Sequence, residues 1–282
     1  MWHSDHVSHA SAPGVDDGMG LARAGLQGVA HAVAVASGKG GVGKSTTAAN
    51  LAVSLALTHR LRVGLMDADV FGPSVPRLMH LEGKPYATAD KKMVPLENFG
   101  VKCISMGFLL DQGEAAVWRG PMVMGAIDKL LKGCEWGELD VLVIDMPPGT
   151  GDAYISVSQK IKLSGAVIVS TPQEMSLSVA RRGITMYGKV QVPVLGLVEN
   201  MSYFTCKCGE SHDIFGSGGA ERVAQELGLD LLGKVPLEAK LRQGGDAGVP
   251  VLVGHPQSES ARAYDSIAKN LMAKLEGNKP TS

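Results

Sequence analysis

The sequence predicts an α/β fold in which helices cover both faces of a mostly parallel sheet. Short apolar runs recur from residue 31 onward, helical patterns separate them, and most runs end in Asp, Ser, Thr, Gly or Pro. Continuous apolar runs are typical of strands buried on both faces, and their alternation with helices indicates a parallel sheet. Because ligands bind such sheets at the carboxyl ends of the strands, these polar residues are predicted to gather at one rim.

Six runs are predicted to be strands. In chain order they cover residues 32–36, 62–69, 100–107, 140–147, 165–172 and 192–202. A long helix is predicted to begin at Ser45, directly after the first run. The last helix is predicted over residues 261–275, where Ile267, Leu271 and Leu275 recur every four residues. This narrow apolar stripe favours docking on the core over binding to a membrane surface.

The composition supports one α/β domain, or one domain with a small appendage, and excludes several classes of protein. The 282 residues are 45% hydrophobic with a net charge of -1, which is enough for a real core. We predict a mobile arm over residues 1–30, the domain over 31–276 and a tail over 277–282. No basic tract favours nucleic acid, and no apolar run reaches the ~20 residues that stable membrane insertion needs. The four cysteines are too few for a disulfide scaffold, which favours a reducing compartment.

Residues 38–45, GKGGVGKS, form a phosphate-binding loop between a predicted strand and a predicted helix. Its glycines let backbone N–H groups approach the phosphates, and the helix N-terminus adds a favourable dipole. In this motif Lys44 reaches the β- and γ-phosphates and the Ser45 hydroxyl binds Mg²⁺. The predicted ATP-binding residues of the loop are Gly38, Lys39, Gly40, Gly41, Val42, Gly43, Lys44, Ser45 and Thr46.

Three aspartates at predicted strand ends are candidates for the magnesium and water positions. Asp145 ends a strand and is predicted to provide the carboxylate near Mg²⁺. Asp67 and Asp69 follow another strand, and alternate residues of an extended segment share a face. Asp67 is predicted to support the Mg²⁺ water shell and Asp69 to position the attacking water. Either one is alternatively a cap of the next helix.

The second lysine of the loop, Lys39, carries a family resemblance. The pattern K-G-G-x-G-K-[ST] resembles the deviant Walker A motif of the MinD, ParA and nitrogenase-iron-protein group of dimeric P-loop ATPases. The resemblance implies that Lys39 reaches the nucleotide of a second protomer, as an arginine finger does in GTPases. It therefore implies a nucleotide-sandwich homodimer in which Lys39, Lys44 and Asp69 are the catalytic residues.

Further motifs lie at residues 67–79, 117–127, 145–159, 169–174, 196–204 and 212–220. Together they resemble the Mrp/ApbC branch of this group, most closely its NUBPL-type iron–sulfur cluster carriers. The resemblance runs from about Val29 to the C-terminus and implies client iron–sulfur apoproteins as partners. By the same resemblance Asn200 recognises adenine, and the compartment is mitochondrial, with cytoplasmic as the alternative.

Cys206 and Cys208 are predicted to bind the cluster. Two thiolates from each chain of a symmetric dimer complete the four-cysteine set of a [4Fe–4S] cluster on the two-fold axis. The family pattern is C-x-x-C, whereas this chain has the shorter C-x-C. Zinc, with His212 nearby, and two free thiols are the alternatives. Cys103 and Cys134 lie in apolar surroundings and are predicted to be core residues.

These observations favour an ATP-driven cluster carrier with slow hydrolysis acting as a switch. The alternative is a positioning or partitioning ATPase of the MinD/ParA kind, in which the paired cysteines have no role. A third hypothesis is an electron-transfer reductase similar to the nitrogenase iron protein, which shares the dimer and the cluster but needs a redox partner.

Overall fold

The structure, a computed structural model, describes residues 25–109, 120–149, 157–158 and 160–277. Its centre is an eight-stranded sheet in the order β10-β7-β6-β1-β5-β2-β4-β3, parallel except for β3. A separate two-stranded hairpin, β8–β9, follows β7. The strands are β1 Val29–Ser37, β2 Val63–Asp67, β3 Leu96–Asn98, β4 Val101–Ser105, β5 Leu139–Asp145, β6 Gly165–Ser170, β7 Val194–Asn200, β8 Phe204–Thr205, β9 Ser211–His212 and β10 Leu231–Val235.

Helices cover both faces of the sheet. One face carries α3 Gly120–Lys132, α4 Glu174–Lys189 and α5 Gly219–Leu227. The other carries α1 Lys44–Leu57, α2 Val75–Leu78, α6 Ala239–Ala247, α7 Val251–Gly254 and α8 Glu259–Gly277. A 3-10 turn, Met106–Phe108, follows β4.

The central strand β1 shows how the sequence builds these two layers. Ala32, Ala34 and Ala36 pack into the core of one face, whereas Val33 and Val35 pack into the core of the other. Successive side chains of a strand point to opposite faces, so an uninterrupted apolar run serves both cores. This confirms the predicted fold class and the double burial of the strands.

All six predicted strands are present, with small shifts at their ends. β1 begins at Val29, two residues before the predicted domain, and the run 100–107 ends as a 3-10 turn. The edge strand β10 was not predicted because its Gly233 and Lys234 interrupt the apolar pattern. Gly233 is required there, since a Cβ would lie 2.6 Å from Ile267 of α8. Of the predicted arm and tail, residues 1–24 and 278–282 lie outside the described part of the chain.

The last helix packs on the core, as its narrow stripe predicts. Ile267, Leu271 and Leu275 are buried against the sheet, and the Asn270 side chain donates a hydrogen bond to the Leu232 carbonyl of β10. Among the residues that the structure describes, no helix combines the length and apolar character needed to cross a bilayer. The apolar side of α8 is therefore committed to the protein interior.

Candidate functional site

The register of the sheet brings polar side chains to one rim. Asp67, the last residue of β2, is paired with Asp145 of β5 on one side and with Ser105 of β4 on the other. All three side chains are fully buried. Because parallel strands end at the same edge, three residues distant in sequence meet beside the loop that follows β1.

The phosphate-binding loop links β1 to α1 through two glycines with positive φ. Gly41 and Gly43 have φ of 81° and 85°, a region that L side chains rarely adopt. A Cβ on Gly43 would lie 2.1 Å from Asn200 Nδ2, and one on Gly38 would lie 2.6 Å from the Val179 backbone of α4. Both the conformation and the close neighbours therefore require glycine in this loop.

Lys44, Ser45 and Asp145 converge at the start of α1. Lys44 Nζ lies 2.5 Å from Asp145 Oδ1 and 3.0 Å from the Ser45 hydroxyl. The ion pair is buried, with the two side chains 7% and 0% exposed. Burial raises the pKa of Asp145, and the adjacent Lys44 ammonium opposes that rise. Asp145 Oδ2 accepts no hydrogen bond from the described residues, so it retains the capacity to bind another donor or a metal-bound water.

Asp67 organises the chain that follows β2. Its carboxylate accepts hydrogen bonds from the backbone N–H groups of residues 69, 74 and 75 and from the Ser105 hydroxyl. Residue 74 is the N-cap of α2 and residue 75 is its first residue, so Asp67 accepts hydrogen bonds from the start of this helix, as the capping alternative predicts. Burial, and then the neighbouring Asp145 charge, raise the pKa of Asp67 to about 7. A role in the Mg²⁺ water shell remains a prediction for this residue.

Asp69 is less enclosed than Asp67. Its Oδ1 accepts a hydrogen bond from the Gly72 N–H at 3.1 Å, which closes a turn around Phe71. The half-buried carboxylate lies on the same rim, two residues after β2. Its predicted role with the attacking water remains a prediction.

Lys39 lies at the exposed end of the loop. Gly40 and Gly41 beside it are also exposed, whereas Val42 is buried and Thr46 is half-buried in the first turn of α1. The Lys39 ammonium makes no ion pair or hydrogen bond with the described residues. Its position leaves the ammonium able to contact a second molecule, and the trans role stays a prediction.

Two large apolar side chains are exposed on the segments that follow β2 and β6. Phe71 is 69% exposed and Met175, at the start of α4, is 74% exposed. Val179 of α4 contacts the loop at Gly38, and Met175 lies one turn earlier on the same helix face. Large exposed apolar side chains beside a functional site are typical of a protein interface.

Asn200 ends β7 and lies beneath the loop. Its Nδ2 donates a hydrogen bond to the Val42 carbonyl at 2.8 Å, whereas its buried Oδ1 has no partner among the described residues. The side chain is thus fixed against the phosphate loop with one acceptor free. Adenine recognition by this amide is not tested by the contacts and stays a prediction.

Cys206 and Cys208 lie on the β8–β9 hairpin, outside the main sheet. The Cys206 N–H donates to the Glu210 carbonyl and the Gly209 N–H donates to the Cys206 carbonyl, which closes the turn with Gly209 at φ 87°. The two cysteines form a disulfide in the structure, whereas two thiolates were predicted. Sulfurs two residues apart in a tight turn are close enough to bond, so metal binding requires their reduction.

Three residues that contribute hydrogen bonds or donor atoms to these sites were not predicted from the sequence. Glu210 places its carboxylate within 4.8 Å of both cysteine sulfurs. Buried Glu199 accepts hydrogen bonds from the Ser202 hydroxyl and the Ala220 N–H, and it thereby ties β7 to the start of α5. Ser105 donates to Asp67. The glutamate directly after C-x-C-G was the available signal for Glu210, whereas the other two depend on tertiary contacts.

The remaining predicted metal ligand, His212, lies outside the donor group of the hairpin, and the two predicted core cysteines are buried. His212 is not in the group formed by the two sulfurs and the Glu210 carboxylate; its ring lies 6.5 Å from that of Phe204 across the hairpin. Cys103 and Cys134 are buried free thiols, which confirms that they are core residues. Burial raises the pKa of Cys103 and raises that of Cys134 to about 12. Both thiols are therefore unreactive at neutral pH.

The chain is similar in sequence to known proteins and to a family model. Residues 28–272 match the ParA family model described as NUBPL iron-transfer P-loop NTPase. An Arabidopsis thaliana protein named iron-sulfur protein required for NADH dehydrogenase, mitochondrial, is 54% identical over 275 residues, which cover 97% of this chain and 88% of that protein. Iron-sulfur cluster transfer protein NUBPL of Mus musculus is 53% identical over 255 residues, or 90% and 80% of the two chains.

A solved structure is similar in fold and sequence. The nucleotide-binding protein of Archaeoglobus fulgidus, in complex with ADP and with cobalt, superposes with a TM-score of 0.71 at 42% identity. The match covers 79% of this chain and 88% of that protein.

Proposed function

Because the chain belongs to the family of NUBPL iron-transfer P-loop NTPases, we propose that it is an ATP-dependent carrier that delivers [4Fe–4S] clusters to client apoproteins. One observation carries the proposal: a complete phosphate-binding loop and a cysteine pair on an exposed hairpin occur in the same chain. Relatives at 54% and 53% identity have names that refer to iron–sulfur proteins or cluster transfer. The cluster is the cargo of such a protein.

The rim supports ATP and Mg²⁺ as ligands. The loop N–H groups and Lys44 suit the phosphates, and Ser45 with Asp145 offers oxygen donors for Mg²⁺. Lys44 pairs with Asp145 in the structure, so ATP binding requires this lysine to exchange the carboxylate for phosphate oxygens. The exchange frees Asp145 to hold a metal-bound water. A relative solved in complex with ADP supports nucleotide binding at this fold.

Slow hydrolysis in a homodimer is the finer part of the proposal. Exposed Lys39 supplies positive charge to the partner's phosphates, and Asp69 positions the attacking water. Exposed Phe71 and Met175 supply apolar area for a dimer face. Such an interface brings Lys39 to a nucleotide only when two chains meet, so hydrolysis reports dimer formation.

The hairpin supplies half of a cluster site in each chain. Two reduced cysteines from each protomer give the four thiolates that a [4Fe–4S] cluster needs. The disulfide must first take up two electrons and two protons, which a cellular dithiol provides. A mitochondrial location is proposed from the name of the plant relative, with the cytoplasm as the alternative.

Anaerobic reconstitution with iron and sulfide tests the proposal. We expect a brown dimer with about four iron and four sulfide ions per two chains, and loss of the cluster in Cys206→Ser and Cys208→Ser. Cys134→Ala is the matched control, since that thiol is buried away from the hairpin and its loss should leave the cluster intact. The loaded dimer should then activate apo-aconitase, with a rate that changes when ATP and Mg²⁺ are added.

Two outcomes would refute the carrier function. One is a colourless protein after reconstitution under reducing conditions. The other is a cluster that never transfers to the acceptor, with or without nucleotide, which would favour an electron-transfer role for a retained cluster.

A further inference from the structure

The chain leaves the main sheet after β7 and returns to its surface at α5, and one carboxylate holds both ends of this excursion. Glu199, the next-to-last residue of β7, accepts a hydrogen bond from the Ser202 hydroxyl at 2.6 Å through Oε1. Its Oε2 accepts a second bond from the Ala220 N–H at 2.9 Å. Residues 203–219, between these two donors, include the cysteine hairpin. Glu199 therefore closes the base of the segment that carries the cysteines.

The Glu199 carboxylate takes the place of a cap at the start of α5. The N-cap residue, Gly218, has no side chain, and the Ala220 N–H is one of the donors at a helix start that have no partner within the helix. The positive end of the helix dipole favours a carboxylate at this place. Glu199 is fully buried, and no lysine or arginine in the described part of the chain forms an ion pair with it. The two hydrogen bonds and the helix start therefore hold this side chain in position.

The next residue of β7 holds the phosphate-binding loop. Leu197 packs into the core of one face of the sheet and Val198 into the core of the other. The same alternation puts Glu199 and Asn200 on opposite faces. Asn200 donates to the Val42 carbonyl of the loop at 2.8 Å. The end of β7 thus anchors the loop on one face and the cysteine segment on the other.

Helix α4 contacts both of these regions as well. A Cβ on Gly38 of the loop would lie 2.6 Å from the Val179 backbone, and one on Gly219 would lie 2.5 Å from Leu177 Cδ1. Both glycines therefore pack directly against α4, at positions two residues apart along that helix. Close-packed contacts of this kind transmit small displacements, because they leave no free space to absorb them.

We propose that Glu199 is a positioning residue that transmits the nucleotide state of the loop to the cysteine hairpin. When ADP occupies the loop, the two ends of the segment are held more firmly and the hairpin opens less often. The inference rests on the proposed function only in treating nucleotide binding and the hairpin as parts of one cycle. It requires no cluster, no second chain and no hydrolysis.

Hydrogen exchange of the full-length chain, reduced and free of metal, tests this role with and without ADP and Mg²⁺. The Cys206 amide is the reporter, because it donates to the Glu210 carbonyl across the closed hairpin. In the unsubstituted protein we expect ADP to slow exchange at this amide at least about fivefold, the lower end of typical coupling between sites. In Glu199→Gln the slowing should fall below about twofold, since the side-chain amide has one acceptor oxygen where the carboxylate has two.

Two further variants separate transmission from stability. Thr205→Val is the matched control, because it removes the hydrogen bond from the Thr205 hydroxyl to Glu259 and loosens the hairpin at a contact away from Glu199. Exchange should accelerate equally with and without ADP in this variant, so the ratio of the two rates should be retained. Ser202→Ala removes one of the two hydrogen bonds to Glu199 and should lower that ratio. Circular dichroism and ADP titration check that each variant is folded and binds the nucleotide.

Three results would overturn the inference. ADP could leave exchange at the Cys206 amide of the unsubstituted protein unchanged. Glu199→Gln could accelerate exchange equally with and without ADP, which is what a purely structural role predicts. Thr205→Val could remove the response to ADP as fully as Glu199→Gln does. If Glu199→Gln does not fold, Ser202→Ala decides, and an undiminished response in that variant contradicts the inference as well.

This inference and the carrier function fail independently. A response of the hairpin to ADP that depends on Glu199, in a protein that assembles no cluster, removes the carrier function and keeps the positioning role. Cluster assembly and transfer without such a response do the reverse.

Discussion

The nucleotide rim and the cysteine hairpin are built by different means. At the rim, Asp67, Asp145 and Asn200 are held by strands buried in the centre of the sheet. At the hairpin, Cys206 and Cys208 are held by a two-residue strand pair and a single turn outside that sheet. The rim is therefore coupled to global stability, whereas the hairpin is expected to open and close locally.

This contrast suits the proposed division of labour. ATP hydrolysis needs side chains that are held in fixed positions in a site without bulk water. The stability of the whole core offsets the free energy of burying their charges. Cluster or metal transfer needs donors that a second protein can reach and that can release the ion.

Removing the Lys39 ammonium should have the largest effect, and that effect should be confined to ATP hydrolysis at the rim. We expect Lys39→Ala to reduce ATP hydrolysis about 10³-fold, because it deletes the charge supplied across the dimer, while ATP still binds through Lys44. Phosphate release and binding of a fluorescent ATP analogue measure the two effects. Lys240→Ala, an exposed lysine of α6, should change neither. Equal losses in binding and hydrolysis would contradict a trans role.

Removing Lys44 should destabilise the protein as well as abolish ATP binding. Lys44→Met leaves the Asp145 charge buried and unpaired, which typically costs about 3–5 kcal/mol of unfolding free energy. Urea denaturation without nucleotide measures the cost. The double variant Lys44→Met/Asp145→Asn should recover most of the stability, since no charge then remains unpaired. If the double variant is as unstable as the single one, the ion pair is not the cause.

The pH dependence of stability should be traceable to Asp67. The pKa of Asp67 is about 7 in the folded protein, against an ordinary value of 3.8. Between pH 3.8 and about 7 the folded state therefore binds more protons than the unfolded state. The unfolding free energy should consequently fall as pH rises from about 4 to about 7, by at most about 4 kcal/mol. In Asp67→Asn the fall should be shallower, whereas Asp213→Asn should retain it. Urea midpoints across this pH range measure the slope, and a rise in stability with pH would contradict the assignment.

Gly43→Ala should test how tightly the phosphate loop is packed. The substitution combines a φ of 85° with a Cβ 2.1 Å from Asn200, so we expect a loss of about 1–3 kcal/mol and weaker ATP binding. Gly40→Ala is the matched control, because a Cβ there meets nothing within 4 Å. Urea denaturation and nucleotide titration of both variants give the comparison. Similar losses in the two would show that loop packing is not the cause.

The sequence predicted the rim far better than the hairpin, for physical reasons. The apolar strand pattern and the spacing of the loop motif predict that Lys44, Ser45 and Asp145 lie together at the rim, and the structure places them in contact. The capping role of Asp67 depends on hydrogen bonds from residues 74 and 105, which only the folded chain brings together. The strands β8 and β9 have two residues each, too few for a periodic pattern. Glu210 was missed for that reason, although the turn glycine beside it was visible.

The smallest effect is expected at Gly209, and it tests the independence of the hairpin. Gly209 has a φ of 87° with open space around it, so Gly209→Ala should cost about 1 kcal/mol of strain confined to the turn. Hydrogen exchange at the Cys206 amide should accelerate about fivefold, and the unfolding free energy measured with urea should fall by no more than about 1 kcal/mol. Gly209→Asn should exchange more slowly than the alanine variant, since asparagine tolerates this conformation. If the Cys206 amide of the unsubstituted protein exchanges as slowly as the amides of β1, which open only on global unfolding, the hairpin unfolds together with the sheet, and the two regions are one cooperative unit.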